Sequence, residues 1–138
     1  MERFLKAQEI SYPIALNEIR NGRKKSHWIW YIFPQLSGLG KSQTAEYYGI
    51  KDIDEARKYL ENDVLRSRLI EISEALFQRD DTAVNILGHT DAMKVRSCMT
   101  LFHVAEPSVE IFVKVIDKFY GGKFDNMTLG IIKKGKNL

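Results

Sequence analysis

Helix punctuation constrains this chain more than any other feature. Apolar residues recur three or four apart in one stretch after another, and residues that start or stop helices bracket each stretch. Residues 12–21 place Tyr12, Ala15, Leu16 and Ile19 on one face, with Pro13 near the start and Gly22 as a terminator. Asp52-Ile-Asp-Glu55 has the form of a capping box opening a helix that carries Ala56, Tyr59 and Leu60. Leu65, Leu69, Ile72 and Leu76 stripe a long helix over 63–78, and a short helix over 81–87 closes at Gly88. Residues 91–104 set Val95, Cys98, Met99 and Phe102 on one face until Pro107 bars continuation. Ser108 is positioned to cap the next helix, in which Val109, Phe112, Val115, Ile116 and Phe119 face inward and Gly121-Gly122 end it. Asp125 then caps a last turn or two through Ile132. Period-two alternation is scarce. The pattern predicts an all-α, compact single-domain bundle of about seven or eight short helices over 1–132, followed by a basic, solvated tail over 133–138.

Composition supports one globular domain. At 138 residues, 44% of them hydrophobic, the chain can bury a sizeable core without metal or disulfide staples. Its single cysteine, Cys98, cannot form an internal disulfide and lies on an apolar stripe, so a buried, unreactive thiol is expected. Met1–Glu9 has neither a long apolar core nor a small-residue cleavage site, so no secretory leader is expected and a cytoplasmic location follows. No membrane partner is expected either, because the longest uncharged apolar run, 28–33, is too short to span a bilayer. The three histidines stand at 27, 89 and 103 without metal-ligand spacing, so neither a metal nor another cofactor is expected.

The chemistry concentrates in residues 22–42, Gly-Arg-Lys-Lys-Ser-His-Trp-Ile-Trp-Tyr-Ile-Phe-Pro-Gln-Leu-Ser-Gly-Leu-Gly-Lys-Ser. Three consecutive cations precede a histidine, both tryptophans of the protein and a Gly-Leu-Gly-Lys-Ser turn. That turn matches the end of the phosphate loop G-x-x-x-x-G-K-[ST], but Gln35 stands where the first glycine belongs, Pro34 interrupts any strand leading in, and no alternating strand–helix pattern follows. What survives is a helix capped by Ser42, with Lys41 beside it, able to face an anion. His27 can act as an acid or base near neutral pH. The run 28–33 fits either a buried strand or a buried helix, and without partner strands a helix capped by Ser26 and ended by Pro34 is preferred. Such a helix is apolar almost all round, which places one tryptophan in the core and leaves the other to line a cavity. Arg96, Thr100 and His103 recur at i, i+4 and i+7, aligning a cation, a hydroxyl and an imidazole on one side of their helix.

These residues carry a resemblance. The whole 22–42 string, with Tyr48-Gly-Ile50, Asp54-Glu-Ala56, Tyr59-Leu60, Lys94, Arg96-Ser97, Met99-Thr-Leu-Phe102, Phe119-Tyr-Gly-Gly122 and Thr128-Leu129, resembles the bacterial family known as domain of unknown function 1810. Cys98 stands where the family pattern has serine. The resemblance implies a single, mostly helical domain and no settled activity. Some members carry the label calpastatin, an inhibitor that is disordered in isolation, which does not fit capped, apolar-striped helices.

The sequence leads to an anionic small-molecule site, a nucleotide or sugar phosphate being the natural classes, acting as a binding pocket or as an enzyme with His27 as the catalytic candidate. Its expected members are Lys25, His27, Trp28, Trp30, Lys41, Ser42, Arg96 and Thr100. Two alternatives stay open. One is a nucleic-acid or protein binding module using the basic edge of Arg20, Arg23, Lys24 and Lys25. The other is a purely structural motif.

Overall fold

In a computed structural model describing residues 1–136, nine helices occur among the described residues: α1 (Glu2–Arg20), α2 (Ile29–Ile32), α3 (Gln43–Tyr48), α4 (Ile53–Glu61), α5 (Asp63–Phe77), α6 (Ala83–Leu87), α7 (His89–Ala105), α8 (Glu110–Tyr120) and α9 (Asn126–Lys136). No β-strand occurs among them. A single parallel bridge joins Leu36 to Ile50, with Ser37 N–H donating to Ile50 O and Ile50 N–H to Gln35 O, each at 2.8 Å. This bridge closes the neck of the 37–49 loop that carries α3.

Most caps lie where the side chains place them. Asp52 accepts from Glu55 N at the start of α4, and Asn62, Thr82 and Ser42 cap α5, α6 and α3. Gly121 ends α8 at φ +60°, a left-handed geometry that a residue with a Cβ adopts at a cost. Four boundaries differ from the sequence reading. α1 begins ten residues earlier than Tyr12, because Phe4, Gln8, Tyr12, Ala15 and Ile19 form one continuous buried face. Pro13 therefore sits inside that helix on its exposed side, where Glu9, whose carbonyl loses its intrahelical donor, is also exposed to water. Ser108 caps nothing: Glu106–Val109 close a turn through Val109 N–H to Glu106 O, and Val109 takes the N-cap position without a side-chain bond. The 28–33 run is a single helical turn whose N-cap is Trp28, because Ser26 is committed elsewhere. α9, with Asp125 at its head, runs past Ile132 to Lys136. Lys133 and Lys134 are exposed, and Asn137 and Leu138 of the expected tail lie outside the described residues.

α7 is the hub. It packs against α8, α4, α6, α9 and α2, while α5 binds α1, α8 and α4 together on the other side. An aromatic chain runs through the core: Phe4 meets Tyr59 edge-on at 5.2 Å, Tyr59 meets Phe102 at 5.2 Å, and Phe102 meets Phe112 at 6.0 Å. One ring each from α1, α4, α7 and α8 thus ties together the N-terminal, central and C-terminal parts. Each such pair is worth about 0.5–1.5 kcal/mol beyond the area it buries. Cys98 is fully buried in this core, and burial pushes its thiol well above the ordinary range, which leaves it unreactive.

Candidate functional site

The cationic and aromatic segment is folded around one carboxylate. Glu18, on the buried side of α1, accepts from Lys25 N at 2.8 Å, Ser26 N at 2.9 Å, Ser26 Oγ at 2.5 Å and Trp28 Nε1 at 2.9 Å. Burial alone would raise the Glu18 pKa. The hydrogen bonds from Ser26, Lys25 and Trp28 outweigh it and hold the carboxyl at about 2. Glu18 was not visible as a site residue in the motif itself. The signal was its place beside Ala15 and Ile19 on an apolar face, where an uncompensated charge is costly.

The loop held by Glu18 sends its side chains two ways. Trp28 enters the core at 1% exposure and packs 6.1 Å from Phe33, so it offers no surface to a ligand. Lys25 and His27 point outward and are exposed. Lys24, between two exposed cations, turns inward: its side chain is 8% exposed, and Nζ lies 2.9 Å from Asp91 Oδ2 and 4.8 Å from the Trp28 ring. Lys94 approaches from the next turn of α7, with Nζ 3.2 Å from Asp91 Oδ1 and 4.3 Å from the Trp30 ring. Two lysines, each lying over one tryptophan, thus converge on one carboxylate.

This convergence lines a cleft of about 380 Å³ whose walls are Lys24, His27, Ile29, Trp30, Tyr31, Ser42, Thr44, Asp91 and Lys94. The volume falls within the range of about 300–1,000 Å³ usual for small-molecule sites. Of the residues expected from sequence, His27, Trp30 and Ser42 are brought together here. Lys41 is exposed on the adjoining loop and is not part of the wall. Gly40, the glycine of the phosphate-loop resemblance, has a packing reason: a Cβ there would lie 2.8 Å from the Trp30 ring and 2.7 Å from Ala45 Cβ.

Arg96 and Thr100 do not reach this cleft. Their helix face is real, but it meets the chain leading into α9. Arg96 donates from Nε to Lys123 O and from Nη2 to Phe124 O, both at 2.8 Å. Thr100 Oγ1 donates to Arg96 O at 2.8 Å and accepts from Asp125 N at 3.0 Å. His103 completes the row by stacking on Phe124 at 5.3 Å, nearly parallel at 11°. Ser97 Oγ and Thr128 Oγ1 both donate to Asp125 Oδ2. The row docks α9; the residues of α7 that line the cleft are Asp91 and Lys94, nearer its N-terminus.

The chain matches, over residues 1–132, the family described as Protein of unknown function (DUF1810), and it belongs to that family. Among solved structures it is similar to the conserved hypothetical protein Rv1873 of Mycobacterium tuberculosis, at 40% identity and a TM-score of 0.94, with 96% of this chain and 95% of that one covered. No curated protein matches it. No helix among the described residues is long and apolar enough to cross a membrane.

Proposed function

We propose that the protein binds an anionic small molecule in the cleft between α2, α3 and α7. The observation that carries this reading is the Lys24–Asp91–Lys94 convergence at a cleft also walled by His27 and by Ser42 and Thr44. Two ammonium groups share one carboxylate, so the cleft keeps a net positive charge. Both hydroxyls and the imidazole can add hydrogen bonds to an oxyanion. Of the two classes expected from sequence, a sugar phosphate fits better than a nucleotide. Lys94 covers one face of Trp30 and Gly40 packs close to its ring, which leaves little room for a stacked base. An exposed imidazole at the site also suits acid–base chemistry on a bound ligand.

A nucleic-acid surface has less support. Trp28 is buried, and inward-turned Lys24 interrupts the basic edge between Arg23 and Lys25.

A thermal-shift panel of sugar phosphates, nucleotides and neutral sugars tests the reading, since a ligand that prefers the native state raises the melting temperature. Sugar phosphates should raise it for the wild type and not for Lys94→Ala. A panel without effect on the wild type, or an effect untouched by Lys94→Ala, overturns the proposal.

A further inference from the structure

Resting on the anion-site reading above, we infer that His27 regulates that site, so that anion capture strengthens as pH falls through the imidazole range. The fixed charges of the cleft are largely committed to one another. From the loop before α2 comes Lys24, paired with Asp91 and nearly buried; from α7 come Asp91 itself and Lys94, also on Asp91. Tyr31 on α2 contributes a phenol, which donates to the His27 carbonyl and is hydrogen-bonded to Ser11 Oγ. Ser42 and Thr44 bring only uncharged hydroxyls, and exposed Lys41 stands outside the wall. Lys24, Asp91 and Lys94 together sum to a single positive charge.

His27 is different. Its ring is exposed at the cleft, and among the described residues only its carbonyl takes a hydrogen bond, from Tyr31. Among the described residues no carboxylate pairs with it. Histidine is the side-chain type whose charge ordinarily changes between about pH 5 and 8, and the cleft wall holds one, at position 27. Protonation adds a second net positive charge and turns both ring nitrogens into donors. A doubly charged oxyanion then meets a matching site, whereas at higher pH it meets half that charge.

Sulfate is the probe, because it stays dianionic across the range and leaves the pH dependence to the protein. Binding is followed by NMR through the Trp30 indole N–H at constant ionic strength, for the wild type and for His27→Gln. We expect wild-type affinity to fall about tenfold from about pH 5.5 to about pH 8, near the lower worth of one hydrogen bond to a charged group. His27→Gln should bind weakly with a flat profile and keep the wild-type melting temperature. Wild-type binding that ignores pH, or a His27→Gln profile as steep as the wild type, overturns this inference and leaves the anion site standing. No sulfate binding even at about pH 5.5 removes the anion site and this inference together.

Discussion

Glu18 shows how one residue decides what its neighbours are for. The string Lys-Ser-His-Trp reads as a run of reactive groups, yet Ser26 and the Trp28 indole serve the carboxylate of α1. Because the Glu18 carboxyl is held at about 2, below its ordinary value, its contribution is present above about pH 4.5 and is lost as pH falls towards 2. We expect denaturant stability to drop by roughly 3 kcal/mol over that acid window and Glu18→Gln to lose that segment of the profile. Unchanged acid sensitivity in Glu18→Gln would contradict the assignment. Gly40 makes a second residue-scale test. Gly40→Ala forces a methyl group against Trp30 and Ala45, and should cost about 1–3 kcal/mol, the usual range for overpacking. The displaced indole should report it in the NMR spectrum. A silent Gly40→Ala would show that the loop yields without moving the cleft wall. What the sequence could reveal at this scale was residue type, not direction: Arg23, Lys24 and Lys25 are all cations, and only packing turns Lys24 inward.

At the scale of elements, periodicity carried α4 through α8 close to their observed bounds, because each has its own apolar stripe and α4, α5 and α6 have side-chain caps as well. It failed where a helix is defined by something distant. α1 hides its first half because Pro13 looks like a start signal, and α2 is one turn fixed by Glu18 rather than by a cap. The Arg96, Thr100 and His103 row was correctly phased on α7, but spacing along one helix cannot say which segment arrives opposite it. That segment is the 123–125 approach to α9. Arg96→Ala should therefore loosen α9 and raise amide exchange over 126–136. It should leave anion binding at the Lys24–Asp91–Lys94 cleft unchanged. Loss of binding with α9 protection intact would place Arg96 at the site after all.

Across the whole molecule, the aromatic chain Phe4–Tyr59–Phe102–Phe112 links helices from both ends of the sequence through α7. Phe102→Ala should cost about 3–5 kcal/mol as a cavity in a fully buried core, with all spectroscopic probes losing structure together. Separate transitions for the α1 and α8 regions would show that the chain does not couple them. α7 holds both sets of contacts, so the cleft is built on the most connected helix of the fold and its lysines are set by a rigid frame. On the reading proposed above, this frame presents an anion site. The most direct measurement is a titration of the two indole N–H signals with a sugar phosphate, in the wild type and in Lys94→Ala. We expect a saturable shift at Trp30, none at core-buried Trp28, and at least tenfold weaker binding in Lys94→Ala, as for a lost charged hydrogen bond. Equal small drifts at both indoles, or saturable binding that Lys94→Ala leaves intact, would contradict it.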